Sequence, residues 1–281
     1  MVVGTGLLGT SVALALRSAG ADVWLTDRDD RVLALAVDRG AGTPGPPPQP
    51  VDLCVVAVPP GAVADVLCDV QLAGYAAAYT DVASVKAVPL RAATELGCDL
   101  STFVGGHPMA GAERSGPQAA RADLFTGRPW VLTPTPATSP AALGAARALA
   151  LACGAEPVVL SPDEHDRAVA VVSHVPHLLA ALAAARLADA PAALVALAGQ
   201  GVRDVTRVAA SDPDLWVGIL SANAGPVAEV LDAVAADLAR VAAALRAPAV
   251  DDAVRDLLVR GRTGRGRLPG PRSQPAPGAG R

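Results

Sequence analysis

The chain has 281 residues, an apolar fraction of 52% and a formal charge of −4. Its length has room for two domains, and no uninterrupted apolar run reaches the roughly 18 residues of a membrane-spanning helix. The acidic balance, sharper once the five arginines of residues 262–281 are set aside, argues against nucleic acid as the main partner.

Met1-Val2-Val3 is a short lead for a first strand, and predicts that the natural start lies upstream. It runs into Gly4-Thr5-Gly6-Leu7-Leu8-Gly9, which opens a helix ending near Gly20. Glycines there let a pyrophosphate approach the backbone, and the helix N-terminus presents free N–H groups and a partial positive charge. The next strand, 22–26, delivers Asp27, an acceptor for a ribose 2′-hydroxyl. An acid at that position repels a phosphate and favours NAD over NADP; Arg28 keeps NADP as the alternative.

Further strands are predicted at 53–58, 77–81, 102–105 and 129–133, alternating with helices such as 31–39. That alternation predicts a parallel sheet covered on both faces. Residues 41–50, dense in Pro and Gly, read as a surface loop. The strand ending at Asp81 runs into Val82-Ala83-Ser84-Val85-Lys86. Ser84 suits a substrate hydroxyl, orientation of a base, or a helix cap. Lys86 is the single lysine in a chain that otherwise uses arginine, so its position needs a compact ammonium, either to hold a carboxylate or to brace the loop. His107, in Gly105-Gly106-His107-Pro108-Met109-Ala110-Gly111, follows the next strand and falls at the carboxyl edge of the sheet, where ligands bind in such folds. An imidazole beside a nicotinamide can take the proton of a substrate hydroxyl as hydride leaves; the alternative is a histidine that closes a turn.

A helix is predicted over 140–152, a strand over 156–160, and a new helix start at Ser161-Pro162-Asp163-Glu164. From there to about residue 260 the patterns are helical, and segments 166–190 and 223–246 are apolar over so wide an arc that a partner subunit is the expected cover. Ser173-His174-Val175-Pro176-His177 places two histidines on one helix face, where one, His177 for preference, would meet substrate or both would pack. No third metal ligand has matching spacing, so no metal is expected. Arg203 and Arg207 are a like-charge pair four residues apart that a substrate carboxylate, or the nearby acids Asp204, Asp212 and Asp214, would compensate. Cys54, Cys68, Cys98 and Cys153 are widely spaced and read as buried reduced thiols. No secretory signal pattern is visible, so a cytoplasmic location is expected.

Together the stretches 81–86, 106–116 (GHPMAGAERSG), 173–177 (SHVPH) and 201–216 (GVRDVTRVAASDPDLW) resemble the prephenate dehydrogenase family, which includes arogenate dehydrogenases, over most of the chain. The patterns divide the chain into a Rossmann-type parallel-sheet domain (1–161), an all-α dimerisation domain (162–261), for which the family also implies dimers, and a short Pro/Gly/Arg-rich tail (262–281) expected to be disordered. The resemblance implies NAD-dependent oxidative decarboxylation of prephenate to 4-hydroxyphenylpyruvate in tyrosine biosynthesis, with arogenate oxidation as the nearest alternative and a non-catalytic NAD-binding module as a remote one. In that family His107 would meet the ring hydroxyl, assisted by Ser84. Arg207 would hold a substrate carboxylate, Ser173 and His177 would line the pocket, and Glu113 and Asp204 would organise its mouth. A homodimer without membrane or nucleic-acid partners is the implied assembly.

Overall fold

The computed structural model describes residues 1–111, 115–247 and 252–270, in two compact units, Met1–Ala224 and Gly225–Arg281. In the first unit the alternation of apolar runs and amphipathic helices becomes β1 (Val2–Val3), α1 (Leu7–Ser18), β2 (Trp24–Thr26), α2 (Asp30–Asp38), β3 (Thr43–Pro44), β4 (Val51–Val56), α3 (Val63–Leu72), β5 (Ala76–Asp81), α4 (Ala87–Glu95), β6 (Phe103–Pro108), β7 (Pro129–Thr133), α5 (Pro140–Ala152) and β8 (Glu156–Val159). The sheet order is β3-β2-β1-β4-β5-β6-β7-β8. The chain winds outward from β1 in one direction and from β4 in the other, so the strand order reverses between β1 and β4, the place where such sheets bind ligands. Successive residues of β4 point to opposite faces. Val55 packs with Val12, Leu25 and Val104 on one face, and Cys54 and Val56 pack with Val63, Leu67 and Phe103 on the other. Both faces are therefore buried, as parallel strands require.

Three expectations change here. The sheet is not wholly parallel: β6 pairs with β7 antiparallel, Gly105 opposite Thr133 and Pro108 opposite Trp130. The connection between them contains only a short 3-10 turn among the described residues, without the crossover helix that a parallel return needs. The loop 41–50 includes a two-residue edge strand, β3, paired with β2. Cys68 and Cys98, half-buried, form a disulfide with their Cα atoms 5.3 Å apart, because α3 and the end of α4 lie side by side; Cys54 and Cys153 are the buried free thiols.

The helical region opens at Ser161, whose side chain accepts from the Glu164 amide while Glu164 reaches back to the Ser161 amide, a capping box. Helix α6 (Pro162–Val169) runs through a π-helical turn (Ala170–His174) into α7 (Val175–Ala185). This continuous 24-residue helix is long and apolar enough by composition to cross a membrane, although charged residues interrupt its apolar run. However, its buried face carries His165, Asp166 and His174, while Val171, Val172 and Leu182 are exposed. Helices α8 (Ala192–Val195), α9 (Gln200–Thr206) and α10 (Pro213–Ala222) complete the unit, with a 3-10 turn at Arg207–Ala210 between the last two. The second unit holds α11 (Ala224–Arg246) and α12 (Asp252–Gly266), tied by Arg260, which donates to Asp256 at 2.9 Å and to Asp237 at 3.2 Å. Because α12 continues to Gly266, the expected tail is helical over 262–266; residues 271–281 lie outside the described residues.

Candidate active site

Strands β1 to β6 are parallel, so their carboxyl ends share one edge. At one part of that edge lies the glycine loop. Gly4 has φ +93°, and a Cβ there would stand 2.3 Å from the Ala57 carbonyl oxygen; a Cβ on Gly9 would stand 1.9 Å from the Gly4 oxygen. These two glycines let strand, loop and helix close on one another. A Cβ on Gly6 would meet nothing within 4 Å, so this glycine faces an open cradle. Gly6 is also the N-cap of α1, without a side-chain cap, which leaves the first amides of the helix, from Leu7 and Leu8 onward, to serve a ligand. Asp27 sits at the end of β2, its Oδ2 accepting from the Thr5 amide at 2.6 Å and the Thr5 hydroxyl at 2.9 Å, and its Oδ1 from the Asp29 amide at 3.0 Å. These bonds hold the carboxylate at the rim of the cradle, and Arg28 beside it is exposed. The loop fits the pyrophosphate and ribose of a nicotinamide dinucleotide.

The second part of the edge is built from side chains. Lys86 is buried, and its Nζ donates to both Asp81 carboxylate oxygens at 2.7 Å and to the Gly106 carbonyl at 2.6 Å. Burial pushes its pKa down while Asp81 opposes the shift. Asp81 also accepts from the Gly106 amide at 2.7 Å. The expectation that Lys86 binds substrate is thereby corrected: its ammonium is spent bracing the strand end that carries His107. A compact ammonium with three donors matches these three acceptors. Gly106 permits the approach, since a Cβ there would lie 2.5 Å from the Asp81 carbonyl oxygen.

His107 is 9% exposed and its Nδ1 lies 2.8 Å from Nε2 of the fully buried His165. His165 Nδ1 lies 2.8 Å from Asp166 Oδ1. Asp166 also accepts from the Lys86 amide at 2.8 Å and the Ala87 amide at 2.9 Å, and so caps α4 in place of a local side chain. His107 is held well below the ordinary histidine range, first by burial and then by His165, Lys86 and His174. For Asp166 burial pushes upward, but the bonds from His165 and the two amides outweigh it and the net shift is down. Sequence reading missed both residues. His165 and Asp166 follow the capping box of α6 directly and were read only as part of a helix start; their partners lie 58 and 80 residues away.

Nearby, Asn223 Nδ2 donates to the Asp166 carbonyl at 2.8 Å and faces His174 Nδ1 at 3.0 Å. The carbonyl accepts only, so the nitrogen end of the amide points this way and His174 Nδ1 is the bare nitrogen. Burial lowers the His174 pKa to about 4. His177 stacks on Trp216 with centroids 3.5 Å apart, and His174 meets the edge of the same indole at 6.0 Å. Burial lowers His177 too. The two histidines thus share a face, as their spacing predicts. Ser173 lies half-buried in the π turn, and Ser84 half-buried in the loop before Lys86. Arg207 begins the 3-10 turn that packs on α7. Asp204 is exposed on α9 and accepts from Gln200 at 2.7 Å. Glu113 lies outside the described residues. Among the described residues no group of three or more His, Cys, Asp or Glu could hold a metal ion.

With this geometry in place, two family models match the chain: "Prephenate dehydrogenase, nucleotide-binding domain" over residues 12–160 and "Prephenate dehydrogenase, dimerization domain" over 161–259. The chain belongs to the prephenate dehydrogenase family. It is 44% identical to the Streptomyces niveus protein named "Probable prephenate dehydrogenase NovF" over 96% of this chain and 77% of that one. Among solved structures it resembles the prephenate dehydrogenase of A. aeolicus in complex with hydroxyphenyl propionate and NAD+ (28% identity, TM-score 0.83, 94% of this chain and 96% of that one). It also resembles the Synechocystis arogenate dehydrogenase (28% identity, TM-score 0.75, 95% and 98%). As a member of this family the chain is an oxidoreductase with a nicotinamide dinucleotide cofactor.

Proposed function

We propose that the protein is an NAD-dependent prephenate dehydrogenase, converting prephenate to 4-hydroxyphenylpyruvate and carbon dioxide in tyrosine biosynthesis. One observation carries the reading: a buried histidine, kept neutral, at the carboxyl edge of a dinucleotide-type sheet, with the helical region's His177, Ser173 and Arg207 turn on adjoining elements. A neutral imidazole is a base, and a substrate hydroxyl is the proton it would take.

Gly4, Thr5, Gly6, Leu7, Leu8 and Gly9 would hold the pyrophosphate, and Asp27 the adenosine ribose. Its carboxylate favours NAD, since a 2′-phosphate would meet negative charge there. Bound NAD supplies the hydride acceptor for the ring carbon that bears the hydroxyl. His107 takes the hydroxyl proton as that carbon is oxidised. The bond to the ring carboxylate then breaks, its electron pair completes the aromatic ring, and the proton returns to the oxygen of the new phenol. Ser84 would bond the same hydroxyl. Arg207 would grip a substrate carboxylate, Ser173 and His177 would line the pocket, and Asp204 and Glu113 would order its mouth. Water is kept from the base by the same burial that keeps it neutral.

The exposed apolar residues of the helical region, Val171, Val172 and Leu182 among them, and the dimerisation-domain match over 161–259 support a homodimer through that region, with the nucleotide-binding domain closing near residue 161. A cytoplasmic site of action fits, because the nucleotide is held inside cells. The test is NADH absorbance with prephenate and arogenate, each with NAD and NADP. Turnover is expected with prephenate and NAD. Turnover of arogenate alone would move the enzyme one step along the pathway, and turnover of neither would sink the reading.

A further inference from the structure

Three side chains from two domains form a line: Asp166, His165 and His107, with successive contacts of 2.8 Å. We propose that His165 and Asp166 are positioning residues that fix His107 with its proton on Nδ1, leaving Nε2 bare to receive the substrate's proton, and that carry the resulting positive charge away from the pocket. The proposal rests on the reading above that His107 is the base.

The assignment follows from counting donors. Asp166 faces the backbone N–H groups of Lys86 and Ala87, which can only donate, so both its oxygens act as acceptors. His165 Nδ1, at 2.8 Å from that carboxylate, must therefore carry a hydrogen. In the neutral ring Nε2 is then bare. Two bare nitrogens 2.8 Å apart would repel, so His107 Nδ1 carries the hydrogen and donates it to His165. His107 Nε2 is left with its lone pair. The other tautomer would present an N–H to the substrate and could not accept a proton.

The same line serves the charge. When His107 accepts a proton on Nε2, its Nδ1 proton already points at His165 Nε2. Transfer along that bond leaves His107 neutral and His165 cationic, beside an ionised carboxylate. One proton enters the line, one moves within it, and none is lost. The cation then sits directly against the Asp166 carboxylate, whereas on His107 it would stand next to the Gly106 carbonyl that the Lys86 ammonium holds. A purely structural role, Asp166 capping α4 and His165 filling space, would demand none of this.

The test is nitrogen-15 NMR of the full chain labelled at histidine, without substrate, at about pH 7.5. With four histidines to assign, correlation of each ring nitrogen with the ring carbon-bound protons tells which nitrogen is protonated. Nδ1–H on both His107 and His165 is expected, and Nε2–H on His107 would overturn the proposal. Two variants extend it. His165→Gln places an acceptor oxygen near the position of the lost Nε2, whereas His165→Phe fills the space without one. The Phe variant should lose kcat by on the order of 10²-fold, with KM and NAD dissociation constant unchanged and the His107 proton moved to Nε2. The Gln variant should keep Nδ1–H and recover to within about tenfold of wild type. Equal losses in both variants with Nδ1–H retained would overturn the proposal. The tautomer is read without turnover, so failure of the substrate assignment and failure of the relay are separate results.

Discussion

The glycine loop and the His107 corner occupy the same sheet edge and are made in different ways. At Gly4–Gly9 the groups proposed to bind are backbone amides of neighbouring residues, and the one side chain proposed beside them, Asp27, is fixed within the same β1–α1–β2 unit by Thr5. At His107 the groups are side chains 58 to 80 residues apart in sequence, buried and already bonded to one another. The first region is made within one short stretch of chain, while the second is assembled from distant stretches. Preorganisation of this kind is what electrostatic catalysis uses, because dipoles that are already aligned need not reorganise as charge develops.

The comparison predicts that damage at the two regions separates into binding and chemistry. His107→Asn removes the base and should lower kcat by about 10²–10⁴-fold while leaving the NAD dissociation constant unchanged; a parallel loss of NAD binding would erase the distinction. Lys86→Met leaves Asp81 buried without its cation and should lower the free energy of unfolding by about 3–5 kcal/mol, read in urea. In the loop the same logic divides two glycines. Gly9→Ala drives a methyl into the Gly4 carbonyl and should destabilise the fold by about 1–3 kcal/mol. Gly6→Ala should leave stability within about 0.5 kcal/mol and weaken NAD by about tenfold, near 1.4 kcal/mol, because its methyl fills the cradle alone. The smallest effect concerns pH. His174 has a folded-state pKa of about 4 against an ordinary value of 6.5, so the unfolded chain binds the extra proton between those values. Stability should therefore fall as pH drops from 6.5 toward 4, and His174→Phe should make that slope shallower; an unchanged slope would mean that burial does not hold His174 neutral.

How much of this was legible in the sequence follows the same division. The glycine turn that opens α1, the acid that ends β2, the helix start at Ser161 and the shared face of His174 and His177 are matters of spacing over a few turns or one strand-helix unit, and each was readable. Lys86 was singled out by composition, yet its partner, the carboxylate five residues before it, was visible only once the strand end folded back. His165 and Asp166 were unreadable because their partners come from another domain. The antiparallel β7 and the Cys68–Cys98 pair were missed for a related reason: both depend on how a connection returns across the sheet, and no local pattern encodes that.

Asp166 has a further consequence, in time instead of energy. Its two oxygens hold the amides of Lys86 and Ala87, the first of a helix in the nucleotide-binding domain, from a helix in the dimerisation domain. Bonded to Asp166, those two amides exchange their hydrogens with solvent only when that contact breaks. Their exchange with deuterium therefore keeps a clock on that one contact: every hydrogen lost at Lys86 or Ala87 records an interval in which Asp166 had let go of the start of α4.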